Sequence, residues 1–288
     1  MSPTTRRRAL TTLGAAVAGV LGMPTIARAA DTVPKKGRPL ARAHAHNDYD
    51  HTRPLLDALD HRFTSVEADI YLVDGELLVA HDPVDLDPSR TLESLYLDPL
   101  ARLIRAHHGS VHPGEPVPFQ LLIDIKTAGG ATYAELDRRL RPYRSYLTSY
   151  AHGAVRPAAV TAVVSGDRGA RAPMEAQRTR LAFYDGRLTD LGGPAGRSFA
   201  PLISDNWSLT FGWAGAGPMP SAQRATLHRL VGTAHANRQR VRFWSTPDLP
   251  GPARDAVWTE LLAAGVDHIN TDDLAGLESW LDAHDRGR

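Results

Sequence analysis

Two carboxylates stand two residues apart in Glu67-Ala68-Asp69, and a histidine, His81, follows fourteen residues after Glu67. Ser65 to Leu72 alternates in the manner of a strand, and a period of two puts Glu67, Asp69 and Tyr71 on one face. Two carboxylates on one strand face suit a hard divalent cation, which takes oxygen ligands. Asp74-Gly75 is a hairpin turn signal, and Leu77 to Val79 reads as a return strand that carries His81 and Asp82 back towards the carboxylates. Taken alone, Glu-x-Asp reads more readily as the wet face of a surface hairpin. The company it keeps elsewhere in the chain decides between the two.

The elements that must position these residues follow a regular rhythm. Leu40 to Ala45 reads as a first strand ending in His44-Ala45-His46-Asn47-Asp48-Tyr49, and Pro54 to Leu59 as a short helix with proline in its first turn. After the hairpin, the spacing of Leu92, Leu95, Leu100, Leu103 and Ile104 predicts a helix from Leu92 to His107. Phe119 to Ile125 is a continuous apolar run, the pattern of a strand buried on both faces, and ends in Asp124-Ile125-Lys126-Thr127. Tyr133 to Tyr150 reads as an amphipathic helix. The second half repeats the alternation: strands at Val160 to Ser165, Leu181 to Tyr184, Pro201 to Ser204, Val241 to Trp244 and His268 to Thr271; helices at Ala172 to Thr179, Ser221 to Ala236 with Ser221 as N-cap, Ala253 to Ala264 closed by Gly265, and Leu274 to Ala283. Eight strands alternating with helices predict a single (β/α)8 TIM barrel over residues 40–288. Two doubly wound domains are the alternative, but no linker interrupts Leu40 to Leu281, and the glycines form no dinucleotide or P-loop pattern.

In such a barrel the C-terminal ends of the strands share one mouth. The first strand would deliver His46 and Asn47, the second Glu67 and Asp69 with His81 just beyond, the third Asp124 and Lys126, the seventh Trp244, and the eighth Asn270 and Asp272. Carboxylates, histidines and a lysine at one mouth make a metal-assisted acid/base site. Trp244, Trp207 and Tyr49 could wall it against a lipid or sugar, or belong to core and rim.

Composition bounds the partners. The chain has 288 residues, a net charge of +1 and 42% hydrophobic residues, enough for one core of barrel size and without an electrostatic case for nucleic acid. It has no cysteine, which excludes disulfides and thiolate chemistry. Arg6 to Arg8, the apolar run Leu10 to Ile26 and the small-x-small triplet Ala27-Arg28-Ala29 read as an export signal over residues 1–29, and Thr5-Arg6-Arg7-Arg8-Ala9-Leu10 resembles a twin-arginine signal. Residues 30–39 read as a linker. The expectation is a secreted monomer, cleaved near Ala30, with at most transient contact with a membrane surface.

The motifs His46-Asn47-Asp48, Glu67-Ala68-Asp69, His81-Asp82 and Leu122-Ile123-Asp124-Ile125-Lys126 resemble those of the phosphatidylinositol phospholipase C / glycerophosphodiester phosphodiesterase superfamily. The likeness extends to its secreted and fungal members with a His-Asn-Asp-Tyr signature, and Ile269-Asn270-Thr271-Asp272 is similar to that superfamily's last strand. The resemblance covers residues 40 to 282. It implies a barrel that binds Mg2+ or Ca2+ through Glu67, Asp69 and Asp124, with His46 and His81 as an acid/base pair acting on a small-molecule or lipid phosphodiester. Glycerophosphodiesterases typically carry His-Arg-Gly on the first strand, where the arginine grips phosphate. Asn47 and Asp48 stand there instead, which implies a weaker grip on that side. Sphingomyelinase D-like members share Asp-x-Lys-Thr, as in Asp124 to Thr127, but carry disulfides.

The physical account agrees with this. Displacement at a phosphodiester needs charge neutralisation on the equatorial oxygens, which a divalent ion and Lys126 would supply. One histidine would take a proton from the attacking hydroxyl, of water or of the substrate itself, and the other would protonate the leaving alkoxide. Two rivals remain. His44-Ala45-His46 matches the His-x-His of metal-dependent amidohydrolases, but the fifth and sixth strands end in Asp185-Gly186 and Asp205-Asn206 where those enzymes need histidines. A catalytically dead secreted binding protein would have no use for an intact set of acid, base and ligands.

Overall fold

Eight segments of the chain pair in parallel and close on one another. The computed structural model describes residues 37–193 and 196–285; the expected export signal and most of the linker lie outside them. In chain order the elements are β1 (Leu40–Ala45), α1 (Leu56–Asp60), β2 (Phe63–Val73), α2 (Asp98–Ala106), β3 (Phe119–Ile125), α3 (Gly129–Leu140), β4 (Val160–Gly166) and α4 (Arg171–Ala176). They continue as β5 (Ala182–Gly186), β6 (Leu202–Asn206), α5 (Trp207–Thr210), α6 (Ser221–Ala236), β7 (Arg240–Trp244), α7 (Pro252–Ala264), β8 (His268–Thr271) and α8 (Leu274–His284). Each strand pairs with the next, and β8 closes on β1 through Ala43↔Ile269 and Ala45↔Thr271. This is the expected (β/α)8 TIM barrel. The β2 hairpin forms as predicted: Asp74 and Gly75 both have positive φ, and Glu76–Val79 returns antiparallel with Val79 opposite Ile70.

Alternation sorts the side chains. The outward residues of the strands, such as Val66, Ala68 and Ile70 of β2 and Leu121, Ile123 and Ile125 of β3, are buried under Leu100 and Ile104 of α2, Leu136 and Leu140 of α3, and Trp258 and Leu261 of α7. Each such side chain contributes roughly 1.5–3 kcal/mol by leaving water. The inward positions are polar to an unusual degree. Leu122, Val163 and Leu202 form a small separate apolar cluster, while His44, Ser65, Gln120, Asp185, Ser204, Arg242 and Asn270 are buried polar residues.

Four expectations need correction. The helix predicted from Leu92 to His107 opens as a π-helical turn, Glu93–Leu97, and becomes α-helical only at Asp98, because Pro99 has no N–H to close the regular ladder. The helix predicted from Tyr133 to Tyr150 begins at Gly129 and ends at Leu140, because Pro142 has no N–H to continue the ladder and the chain tightens into a 3-10 turn, Arg141–Tyr143. Beyond that stop, Ser149–Ala151 pairs with Ala154–Arg156 and Thr179–Arg180 in a three-stranded antiparallel sheet. That sheet claims Thr179, so α4 ends at Ala176 rather than at Thr179. Ser221 is the first helical residue of α6, with Pro220 in the cap position, and makes no side-chain cap.

Candidate active site and metal centre

The C-terminal ends of the strands enclose a cavity of about 220 Å3. Eight of the ten residues expected at the strand ends line it: His46 and Asn47, Glu67 and Asp69, His81, Asp124 and Lys126, and Trp244; Asn270 and Asp272 do not, and meet Arg242 and His46 instead. Three that sequence reasoning missed line it as well: Ser165 at the end of β4, Arg187 just past β5, and Arg242 on β7.

Register brings the carboxylates together. Asp69 pairs directly with Asp124 across β2 and β3, with Glu67 two residues further down the same face. One oxygen from each of the three lies within 4.8 Å of the other two. Gly166 fixes Asp124 from the far side. Its φ is +77°, and a Cβ there would stand 2.3 Å from the Ile125 carbonyl oxygen and 2.6 Å from Asp124 Oδ1. Only glycine lets β4 pass so close in that conformation.

The trio is poised for a cation. Burial, reinforced by the neighbouring Glu67 charge, raises the Asp69 carboxyl to about 6, and burial also raises Asp124 above the ordinary carboxylate value. Asp69 Oδ1 is buried with no hydrogen-bond partner. An all-oxygen donor set with an orphaned buried carboxylate oxygen fits a hard divalent ion. Protein cations already attend the same groups. Lys126 Nζ lies 3.0 Å from both Asp69 Oδ2 and Asp124 Oδ1, and these carboxylates raise its pKa although burial opposes them.

Glu67 is held from below. Arg242 Nη2 donates to Glu67 Oε2 at 2.5 Å, and Arg242 Nε donates to Asn270 Oδ1 at 2.8 Å. Burial opposes ionisation of Glu67, but the guanidinium and the His44 contact outweigh it and hold the carboxyl well below its usual range. His44 is fully buried beneath the mouth. Burial and the Arg242 charge lower its pKa to about 3, so the ring is neutral. Its Nε2 lies 3.4 Å from Glu67 Oε2, and its Nδ1 accepts from Ser65 Oγ at 2.7 Å. Ser65 Oγ accepts in turn from Gln120 Nε2 at 2.9 Å, and Gln120 Oε1 accepts from Arg240 Nη2 at 2.7 Å. A hydrogen-bonded chain therefore runs down the barrel axis from Glu67 to Arg240.

The two mouth histidines are each pinned through Nδ1, which leaves Nε2 for the cavity. His46 Nδ1 donates to Asp272 Oδ1 at 2.8 Å. Burial would lower the His46 pKa, but the Asp272 hydrogen bond and the Glu67 charge prevail and raise it. His81 Nδ1 lies 2.9 Å from the Tyr49 hydroxyl, which is itself 2.6 Å from Asp69 Oδ2. Burial and the Asp69 charge keep Tyr49 a phenol. Its proton is taken by the acceptors Asp69 Oδ2 and Asn47 Oδ1, both at 2.6 Å, so the His81 Nδ1–H donates to the phenol oxygen.

The aromatic wall is smaller than expected. Trp244 lines the cavity, but Trp207 is buried against Phe211 and Phe243, 4.3 and 5.6 Å away between ring centroids. Tyr49 is likewise buried and presents only its hydroxyl. Asn47 serves the backbone too: its φ of 47° is a left-handed turn that asparagine tolerates. Asp48 turns away from the mouth, fully buried, and accepts from the Leu55 N–H at 2.6 Å. Arg187 stands in the mouth with its guanidinium donating to Asp185 Oδ2 at 2.6 Å and to Ser204 Oγ at 3.1 Å.

Period-two counting could have found the missed residues. Arg242 is two before Trp244, Arg187 is two beyond Asp185, and Ser165 pairs in register with Asp124.

Comparison with known proteins agrees with this geometry. Among curated proteins, Altered inheritance of mitochondria protein 6 of Eremothecium gossypii is 31% identical over 270 residues, covering 84% of this chain and 69% of its own. A homolog of that protein from Arthroderma benhamiae is 28% identical over 261 residues, 82% of each chain. A crystal structure of a glycerophosphoryl diester phosphodiesterase from Parabacteroides distasonis superposes with a TM-score of 0.51 at 12% identity, over 88% of this chain and 90% of that one, which is a likeness of fold. Residues 240–275 match the glycerophosphoryl diester phosphodiesterase family, and residues 35–185 match the AIM6-like phosphodiesterase domain. The chain belongs to the AIM6-like phosphodiesterase family.

Proposed function

We propose that this protein is a divalent-metal-dependent phosphodiesterase in which His46 and His81 exchange protons with the substrate. The observation that carries the reading is the pair of imidazoles pinned through Nδ1, by Asp272 and by Tyr49, on the mouth that holds the carboxylate trio. His46, backed by a carboxylate, takes the proton of the attacking hydroxyl through Nε2, and His81 protonates the leaving alkoxide. When held by Glu67, Asp69 and Asp124, an Mg2+ or Ca2+ ion supplies Lewis-acid neutralisation of the phosphoryl oxygens. Lys126 adds fixed positive charge, Arg187 and Asn47 offer N–H donors to the phosphodiester, and Trp244 packs on the substrate's organic part. The amidohydrolase alternative finds no support, because the described ends of β5 and β6 carry no histidine and His44 lies buried beneath the mouth, where it contacts Glu67 instead of lining the cavity.

The substrate is a glycerophosphodiester or phospholipid head group met at a lipid surface outside the cell, after export by the leader at residues 1–29. Val84, Leu209 and Leu249 are 89%, 82% and 87% exposed, and each lies on a segment that follows the C-terminal end of β2, β6 or β7. Sedimentation with phosphatidylcholine vesicles tests this, and retention by a Leu209→Ser/Leu249→Ser variant would count against it.

The main test is hydrolysis of bis(p-nitrophenyl) phosphate and of an unactivated alkyl phosphodiester, before and after chelation. Mg2+ or Ca2+ is expected to restore activity. His46→Ala is expected to cost about 10²–10⁴-fold in kcat on both substrates, and His81→Ala that much only on the unactivated one. Full activity after removal of metal would overturn the proposal.

A further inference from the structure

A second cavity, of about 350 Å3, opens at the opposite end of the barrel from the mouth, where the strands begin. Its size falls in the range of roughly 300–1,000 Å3 that holds small ligands. Pro118, Phe183 and Pro201 give it apolar walls, and Arg197, Arg238 and Arg240 bring three guanidinium groups to it. No acidic residue lines it. Among the described residues none of the three arginines forms an ion pair, and Arg240 has the side-chain oxygen Oε1 of Gln120 as its hydrogen-bond partner. Burial pushes the Arg240 guanidinium below its ordinary pKa, and the charge of nearby Asp267 opposes this only in part. Asp267 is engaged elsewhere: its Oδ2 accepts from the Val241 N–H at 2.8 Å and meets His235 Nε2 at 2.9 Å. Arg238 sits at a φ of 57° as the left-handed residue that closes α6, its N–H donating to the His235 carbonyl and the Gln239 N–H to the Ala234 carbonyl, which fixes its place at the rim of the cavity.

We propose that this cavity binds a small phosphate monoester, its phosphoryl group on the three arginines and its short organic group against Phe183 and the prolines. Guanidinium forks match the oxygens of phosphate, and three of them exceed what a single carboxylate can accept. A monoester also leaves one organic group to fill the apolar half, where a diester would carry two. The site is separate from the mouth, and the proposal does not rest on the catalytic reading.

The choice of variants follows from the structure. Arg240 ends the hydrogen-bonded chain that reaches Glu67, so removing it would disturb the mouth as well. Arg197 and Arg238 are exposed and can be changed without opening the core. Asparagine at position 238 keeps tolerance for the left-handed backbone.

The experiment is calorimetric titration of the full chain with phenyl phosphate, and with phenylacetate as the carboxylate counterpart. Binding of phenyl phosphate is expected to persist in Lys126→Met, which disables the mouth, and to weaken at least tenfold in Arg197→Gln/Arg238→Asn. Each single variant is expected to lose at least threefold, which keeps the test decisive should the double variant fold poorly. Phenylacetate is expected to bind at least tenfold more weakly than phenyl phosphate. The proposal fails if no binding survives Lys126→Met, if the arginine variants bind as the native chain does, or if phenylacetate binds equally well.

Discussion

Replacing Arg242 by methionine removes one charge and little volume, and the structure sets what should follow. Arg242 and Glu67 are 3% and 5% exposed and meet at 2.5 Å. With the guanidinium gone, Glu67 keeps only the neutral His44 ring as a close partner. Leaving one member of a buried pair uncompensated costs about 3–5 kcal/mol. At about 2–4 °C per kcal/mol for a domain of this size, the melting temperature of the metal-free protein should fall by about 6–20 °C. Arg242 holds the Glu67 pKa below 4.5, so this stability is present above that pH and is lost only as acid protonates the folded carboxylate. The deficit is therefore expected in full at neutral pH.

The same variant separates a metal ligand from a structural salt bridge. An ion that binds only the folded state stabilises by RT ln(1 + [L]/Kd), about 2.7 kcal/mol at a hundredfold excess. Loss of a cation beside Glu67 leaves the trio one charge more negative, which tightens the ion. Each tenfold gain in affinity adds about 1.4 kcal/mol at the same excess, or about 3–6 °C. Differential scanning fluorimetry with chelator and then with stepwise Mg2+ or Ca2+ reads both numbers. The reasoning is refuted if Arg242→Met melts within about 2 °C of native in chelator. An ion-induced gain no larger in the variant than in the native protein would refute it equally.

Three further outcomes are expected. Asp272→Asn replaces the carboxylate that raises His46 by a neutral amide, a weaker acceptor without charge, so the acidic limb of the pH–rate profile should move to lower pH and kcat should fall; a limb that stays put would detach Asp272 from His46. Gly166→Ala forces a Cβ into a left-handed position against Ile125 and Asp124, at a cost of about 1–2 kcal/mol from the conformation alone, and should weaken ion binding measured by calorimetry; unchanged affinity would show that Gly166 does not position Asp124. Burial raises the Asp48 carboxyl from 3.8 to about 7, so this group stabilises the fold at low pH and loses that contribution as pH rises towards 7. Between about pH 5 and about pH 8 the loss is about 3 kcal/mol at ~1.4 kcal/mol per pH unit, and urea midpoints at the two pH values should show it in the native protein and not in Asp48→Asn.

What could be read from the sequence divides along a physical line. The outward faces of β3 and β4 are runs of apolar residues, and Asp74-Gly75 admits few turns, so local chemistry sufficed for the strands and the hairpin. Carboxylates and histidines at strand ends are local as well, because a strand's end is marked by the residues that follow it. Helix limits failed where a distant partner or a proline decided them. Pro142 stopped α3, and the small antiparallel sheet recruited Thr179 from what the pattern made helical. Arg242 was illegible for a different reason. Its parity was available, but its partner Glu67 lies 175 residues away and on neither of the strands flanking β7. Neighbouring-strand register cannot supply a contact across the barrel. Only closure and stagger together bring the two side chains to one height.

That cross-barrel contact also explains the charge of the mouth. Glu67, Asp69 and Asp124 contribute three negative charges, against which Lys126 and Arg242 supply two positive ones, while Arg187 is matched by Asp185. The formal balance is −1, and the Glu67 charge adds to burial in raising the Asp69 pKa. A phosphodiester anion would be repelled by such a mouth. On the proposed reading, a divalent ion would bring the balance to +1, and one phosphodiester would then bring it to zero. In a buried site, where charge interactions are screened far less than in water, the arginine inside the barrel thus works as part of the counting. It keeps the carboxylates ionised enough to take an ion, and leaves them one charge short of needing anything more than the substrate itself.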